Sequence, residues 1–141
     1  LSDGMAYELS GVRGYVSSAV GSIDFMVEAR GPLKTGQDGT AYSGVLIRHM
    51  VLPDRLSNTE DVLTFIARRW SDVPVSLMLQ YFPAHKAVRH PSLGRKLLVS
   101  EAIRAIETFR DAGLYGYVQR YEEHPASKSP ICLKEGARVL R

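Results

Sequence analysis

The chain has 141 residues, 45% of them hydrophobic and 23% charged, which is one domain's worth of sequence with enough apolar side chains for a core. Its 18 Lys and Arg are dispersed among 15 Asp and Glu for a net charge of +3, with no basic tract, so nucleic acid is not the expected partner. No signal peptide and no bilayer-spanning apolar run are present, and the one cysteine, Cys132, cannot form an internal disulfide, so a cytoplasmic chain with no membrane partner is expected.

The chain opens on Leu1 and runs almost directly into helical pattern. From Tyr15, apolar residues recur at Val16, Ala19, Val20, Ile23, Met26 and Val27, the spacing of an amphipathic helix that Gly31-Pro32 should stop. Gln37-Asp38-Gly39 is a turn signal leading through Tyr42-Ser43-Gly44 into an almost unbroken apolar strand over 45–52, which Pro53 ends. Such a strand reads as buried on both faces, as in a parallel sheet under helices. Arg48 and His49 sit in its middle. A guanidinium there stays charged, so it needs an anionic or carbonyl partner, which is either an internal carboxylate or a ligand. Alternation puts Arg48 on one face with Leu46, Met50 and Leu52, and His49 on the other with Val45, Ile47 and Val51. Only one of the two can face the interior of a barrel.

Ser57 stands three residues before Glu60, a capping-box spacing, and Val62, Leu63, Phe65, Ile66 and Trp70 mark the buried stripe of a second helix. A strand over 75–81 follows, apolar until Gln80 and Tyr81 at its C-terminal end. Ligands of parallel α/β sheets bind outside the carboxyl ends of strands, so an amide and a phenol at that end are candidate site residues, against the simpler reading of a capped strand end. A polar, basic loop over 85–96 leads to a third helix with Ser100 as N-cap, apolar positions at Ala102, Ile103, Ile106 and Phe109, and Gly113 as its stop. Residues 114–119 form a short further strand. From Arg120 the Pro and Ser content suggests an extended tail over 120–141, with one packed segment at 131–133.

Strands alternating with helices predict an α/β fold with right-handed crossovers onto a parallel sheet. Two full strands and a short third make too narrow a sheet to stand alone. Residues 1–119 are therefore expected to be the incomplete C-terminal βα portion of a larger sheet or barrel, or part of an oligomer that supplies the other strands.

Three segments carry a resemblance: 44–53 (G-V-L-I-R-H-M-V-L-P), 76–87 (S-L-M-L-Q-Y-F-P-A-H-K-A), and the Ala112-Gly113-Leu114 helix end with Gly116-Tyr117-Val118-Gln119. In their order, across about residues 15–119, they resemble the C-terminal part of radical S-adenosylmethionine proteins similar to pyruvate formate-lyase activating enzyme. The resemblance implies a partial (β/α) barrel with a 4Fe-4S cluster and S-adenosylmethionine at the C-terminal mouth of the strands. It also implies an electron donor and a glycyl-radical or other protein substrate from which the 5′-deoxyadenosyl radical takes hydrogen. The protein's share of such chemistry is positioning and electrostatics. By this likeness Arg48 faces inward and contacts the methionine carboxylate of the cofactor, which leaves His49 toward the helix layer as a hydrogen-bonded structural histidine, and Gln80 and Tyr81 lie beside the same mouth near the ribose or methionine portion.

The sequence departs from the family where the cluster would bind. Three thiolates are needed, normally from a Cys-x3-Cys-x2-Cys loop, and this chain has Cys132 alone. His85, His90 and His124 lack metal-site spacing, so no metal ligand is assigned, and the cluster loop is expected upstream in a parent protein. Asp54 stands where many relatives have glycine after the proline, which puts the turn there in question. The competing reading is a non-catalytic α/β binding module whose loop residues Lys86, Arg89, Arg95 and Lys96 grip an anionic ligand or a partner protein.

Overall fold

The computed structural model describes residues 2–119 and the backbone of 138–140. The order is α1 (Asp3–Ser10), α2 (Tyr15–Arg30), β1 (Lys34–Thr35), β2 (Ala41–Ser43), β3 (Ile47–Met50), α3 (Thr59–Arg69), β4 (Val75–Met78), α4 (Val99–Asp111), β5 (Gly116–Val118) and β6 (Arg138–Leu140). β1 and β2 form an antiparallel hairpin across the expected 37–39 turn. The main sheet runs β3-β4-β5-β6, parallel through its first three strands and antiparallel at the last. The fold is thus mixed α/β around a small parallel sheet, as the alternation of strand and helix predicts.

One layer of helices covers one face of that sheet. Val45, Ile47 and Val51 from the β3 segment, Val75, Leu77 and Leu79 from the β4 segment, and Val118 of β5 form the sheet side of the core. Leu63 and Ile66 of α3 and Ala102, Ala105 and Phe109 of α4 close over them, while Val20, Ile23 and Val27 of α2 pack at the margin. Leu63, Leu77, Val73, Val75 and Phe109 are completely excluded from solvent. α2 is tied to the end of α3 by Asp24, which accepts from Arg69 Nε at 2.9 Å, Arg69 Nη2 at 2.6 Å and Trp70 Nε1 at 2.9 Å.

Two glycines permit close backbone approach. A Cβ on Gly116, at φ +136°, would lie 2.2 Å from the Val75 carbonyl oxygen, and one on Gly44, at φ +96°, would lie 2.1 Å from that of Pro32. Only glycine tolerates both the dihedral and the contact.

Several expectations are corrected. The arginine strand is not buried on both faces: Ile47 is buried, but Arg48 is exposed and Met50 is 38% exposed. Its ladder pairing is limited to 47–50, and that of the next strand to 75–78, because both chains turn out of the sheet at their C-terminal ends. Ser57 does not cap α3. The N-cap position is Asn58, at φ 47°, with no side-chain bond to the helix, and Ser57 Oγ instead accepts from Leu52 N at 2.9 Å. Ser100 lies inside α4, whose start is capped in reverse by Glu101 accepting from Leu98 N at 2.8 Å. Within the tail expected over 120–141, Arg138–Leu140 pairs antiparallel with β5. Cys132, His124 and the packed segment at 131–133 lie outside the described residues.

Candidate functional site

Among the described residues, no helix of the core packs against the second face of the sheet. None of Leu46, Arg48, Met50, Ser76 or Tyr117 belongs to the core cluster. Ladder register places Arg48 beside Ser76, and Ser76 beside Tyr117, so one polar row crosses the three parallel strands. Met50 and Met78 form the next row toward the C-terminal ends. Adjacent strands are about 4.8 Å apart, so the polar row spans roughly 10 Å.

Arg48 is exposed at the start of this row and makes no ion pair or hydrogen bond among the described residues. Among the described residues, neither an internal carboxylate nor a buried partner satisfies it. Its neighbour His49 faces the other way, as alternation requires, and its Nε2 shares a 3.0 Å hydrogen bond with Thr59 Oγ1 at the first turn of α3. Thr59 in turn shares one of 2.9 Å with Ser57 Oγ, completing a chain from His49 to the Leu52 amide. Burial pushes the His49 imidazole down to about 4, so it is neutral at pH 7. The structural role expected for His49 is the one observed.

Gln80 is exposed just beyond β4. Tyr81 is half-buried against the core, and its hydroxyl donates to Leu93 O at 2.9 Å, pinning the following loop. Gln80 and Tyr81 both lie beyond the C-terminal end of β4, but the Tyr81 proton is committed to the loop and only its oxygen is left to accept. Gln119, at the corresponding end of β5, has a buried Oε1 with no hydrogen-bond partner. Ser76, Tyr117 and Gln119 are the residues sequence reasoning missed. Period-two spacing back from Gln80 would have found Ser76; the other two need the strand register.

A charged clamp sits beside the same C-terminal ends. Arg95 grips Glu101 with two bonds, Nη1 to Oε2 at 2.8 Å and Nη2 to Oε1 at 2.9 Å, and reaches Asp54 Oδ1 at 2.6 Å. Glu101 also accepts from the Asp54 and Leu98 amides, each at 2.8 Å. The Arg95 guanidinium, with those amides, outweighs partial burial and holds the Glu101 carboxyl down to about 2. Ser92, then Arg95, lowers the Asp54 carboxyl. Asp54 and Arg55 adopt left-handed φ of 53° and 60°. The residue after Pro53 thus takes a conformation that glycine adopts freely and aspartate tolerates. Behind the clamp, α3 and α4 bound a cleft of about 530 Å³ whose lining includes Asn58, Glu60, Asp61 and Arg104.

No group of three His, Cys, Asp or Glu side chains suited to a metal occurs among the described residues. His90 Nδ1 is occupied as a turn acceptor from the Ser92 and Leu93 amides at 3.2 and 3.1 Å. No helix among the described residues is long and apolar enough to cross a membrane.

Comparison with known proteins adds one relative. A 64-residue stretch is 38% identical to an uncharacterized protein of Methanocaldococcus jannaschii, covering 45% of this chain and 19% of that protein. The chain therefore spans about a fifth of the relative it matches. No protein-family profile matches the chain, and no solved structure matches it.

Proposed function

We propose that this chain is the C-terminal segment of a radical S-adenosylmethionine enzyme resembling pyruvate formate-lyase activating enzyme, and that it forms the carboxylate-binding wall of a partial (β/α) barrel. The observation that carries the reading is the Arg48 guanidinium, without a partner among the described residues, in the middle of an otherwise apolar strand and on the sheet face that no described helix covers. In a closed or half-closed barrel that face is the interior. A forked, permanently charged donor there suits the methionine carboxylate of S-adenosylmethionine. Ser76 and Tyr117 continue the row as hydroxyl partners, and Gln80 and Gln119 flank the C-terminal ends where such cofactors lie.

The 4Fe-4S cluster does not fit this chain. It needs three thiolates, and the sequence has one cysteine. The cluster and the reductive cleavage it supplies are assigned to the remainder of the parent protein, together with contacts to an electron donor. What these residues do is bind and orient: Arg48 fixes the carboxylate, and the row beside it fixes the angle at which the rest of the ligand leaves the sheet.

Calorimetric titration of the full-length parent with S-adenosylmethionine tests the reading. Arg48→Ala should weaken binding by about 1.5 to 3 kcal/mol, the scale of a hydrogen bond to a charged group, with no loss of thermal stability. Unchanged affinity combined with greater self-association would make Arg48 a charge that guards the sheet edge, and the proposal would fail.

A further inference from the structure

Between Asp72 and Glu101 the chain has no acidic residue, yet it carries Lys86, Arg89, Arg95 and Lys96. Arg95 is consumed by the clamp on Asp54 and Glu101, which removes it from the gripping loop expected from sequence. Lys86 and Arg89 are exposed and make no ion pair or hydrogen bond among the described residues, and Lys96 Nζ stands 5.4 Å over the Phe82 ring. The same loop displays Phe82, 67% exposed, and Val88, 59% exposed.

A merely solvated connection would be polar and loosely held. This one displays apolar side chains among its cations and is held by a set of hydrogen bonds. A 3₁₀ turn spans His85–Arg89, closed by Ala87 N donating to Ala84 O and His90 N to Ala87 O, each at 3.0 Å. Gly94 N donates to His90 O at 2.9 Å, the His90 ring receives two amides, Tyr81 holds Leu93, and the Arg95 clamp fastens the far end. The ordering cost of binding is therefore largely met before any partner arrives.

We infer that the loop over 82–96 is a preformed docking surface for a protein partner that presents carboxylates around an apolar side chain. Uncompensated positive charge calls for an acidic counterpart, and Phe82 and Val88 supply the apolar anchor that such interfaces place among charges. A nucleic acid fits less well, because specific binders commonly engage about 6 to 10 phosphates and this loop offers three cations outside the clamp. A membrane surface fits less well because the loop holds no amphipathic helix to lie in the interface. The inference is independent of the ligand assigned to Arg48.

Heteronuclear NMR titration of the full chain tests it, with three probes: a synthetic peptide with a Leu-Phe centre flanked by glutamates, phosphatidylserine-containing vesicles, and a single-stranded oligonucleotide. The peptide should shift resonances of residues 82–96, with affinity falling as ionic strength rises. The double variant Lys86→Glu and Arg89→Glu should weaken it by about tenfold or more, and Val88→Ser by a smaller factor that salt does not remove. Lys86→Gln with Arg89→Gln serves as a milder second variant should charge reversal disturb the melt. Absence of peptide binding, binding insensitive to both sets of substitutions, or preferential binding of vesicles or oligonucleotide through the same residues would overturn the proposal.

Discussion

Arg48 and His49 show how a strand sorts two cations by chemistry. The imidazole can shed its proton, so it goes beneath α3, where burial favours the neutral form and Thr59 supplies a partner. The guanidinium cannot, so it remains on the uncovered face. The His49 placement has a pH signature. Unfolded, the imidazole takes a proton below about 6.5; folded, it resists until about 4. Its contribution is therefore complete above about pH 6.5 and is lost as pH falls through that window toward 4, by at most about 3 kcal/mol. Chemical denaturation at pH 7 and pH 5 should show the wild-type chain losing stability while His49→Gln loses much less. Equal losses would place the acid sensitivity elsewhere. Glu101 acts in a lower window: its carboxyl is lowered from 4.5 to about 2, so its contribution is full above the usual carboxylate range and is lost progressively as pH falls from about 4.5 toward 2.

At the scale of elements, the Arg95 clamp joins three segments that meet at the C-terminal ends of the parallel strands: the turn after β3, the loop after β4 and the first turn of α4. It explains how Asp54 and Arg55 sustain left-handed backbone outside glycine, since the Asp54 amide and carboxylate are both held from across the molecule. Glu101→Ala should lower unfolding free energy by about 1 to 2 kcal/mol, less than a fully buried charge-assisted pair because Arg95 stays partly exposed. Amide exchange should accelerate at Asp54 and through residues 85–95, while Leu63 and Phe109 stay protected. Uniform acceleration across the core would show that the clamp supports global packing instead of the loop.

For the molecule as a whole, a one-sided sheet leaves unfinished surfaces. Among the described residues, β3 pairs with β4 alone along 47–50, and its other edge carries no pairing beyond the bridge of Val45 to Pro32. Met50 is exposed beside it. An open edge with apolar neighbours invites pairing with another chain. Sedimentation of the 141-residue chain should show association that grows with concentration and is reduced by Met50→Lys; a monodisperse monomer across the range would contradict this.

Local sequence determined the helix from Tyr15 to Gly31, the buried stripe of the helix carrying Val62 to Ile66, the two apolar strands, the opposed faces of Arg48 and His49, and the helix stop at Gly113. Each of these follows from local spacing and from side chains whose burial cost is intrinsic. Caps were misread: Ser57 is engaged by the Leu52 amide, and Ser100 lies inside a helix whose first turn is capped by Glu101. The row of Arg48, Ser76 and Tyr117 was decided by strand register, and the neutralisation of Arg95 by residues 41 and 6 positions away. Contacts between distant segments depend on how strands align and which face the helices take, and that is settled by the packing of the whole core, not by any stretch of the chain.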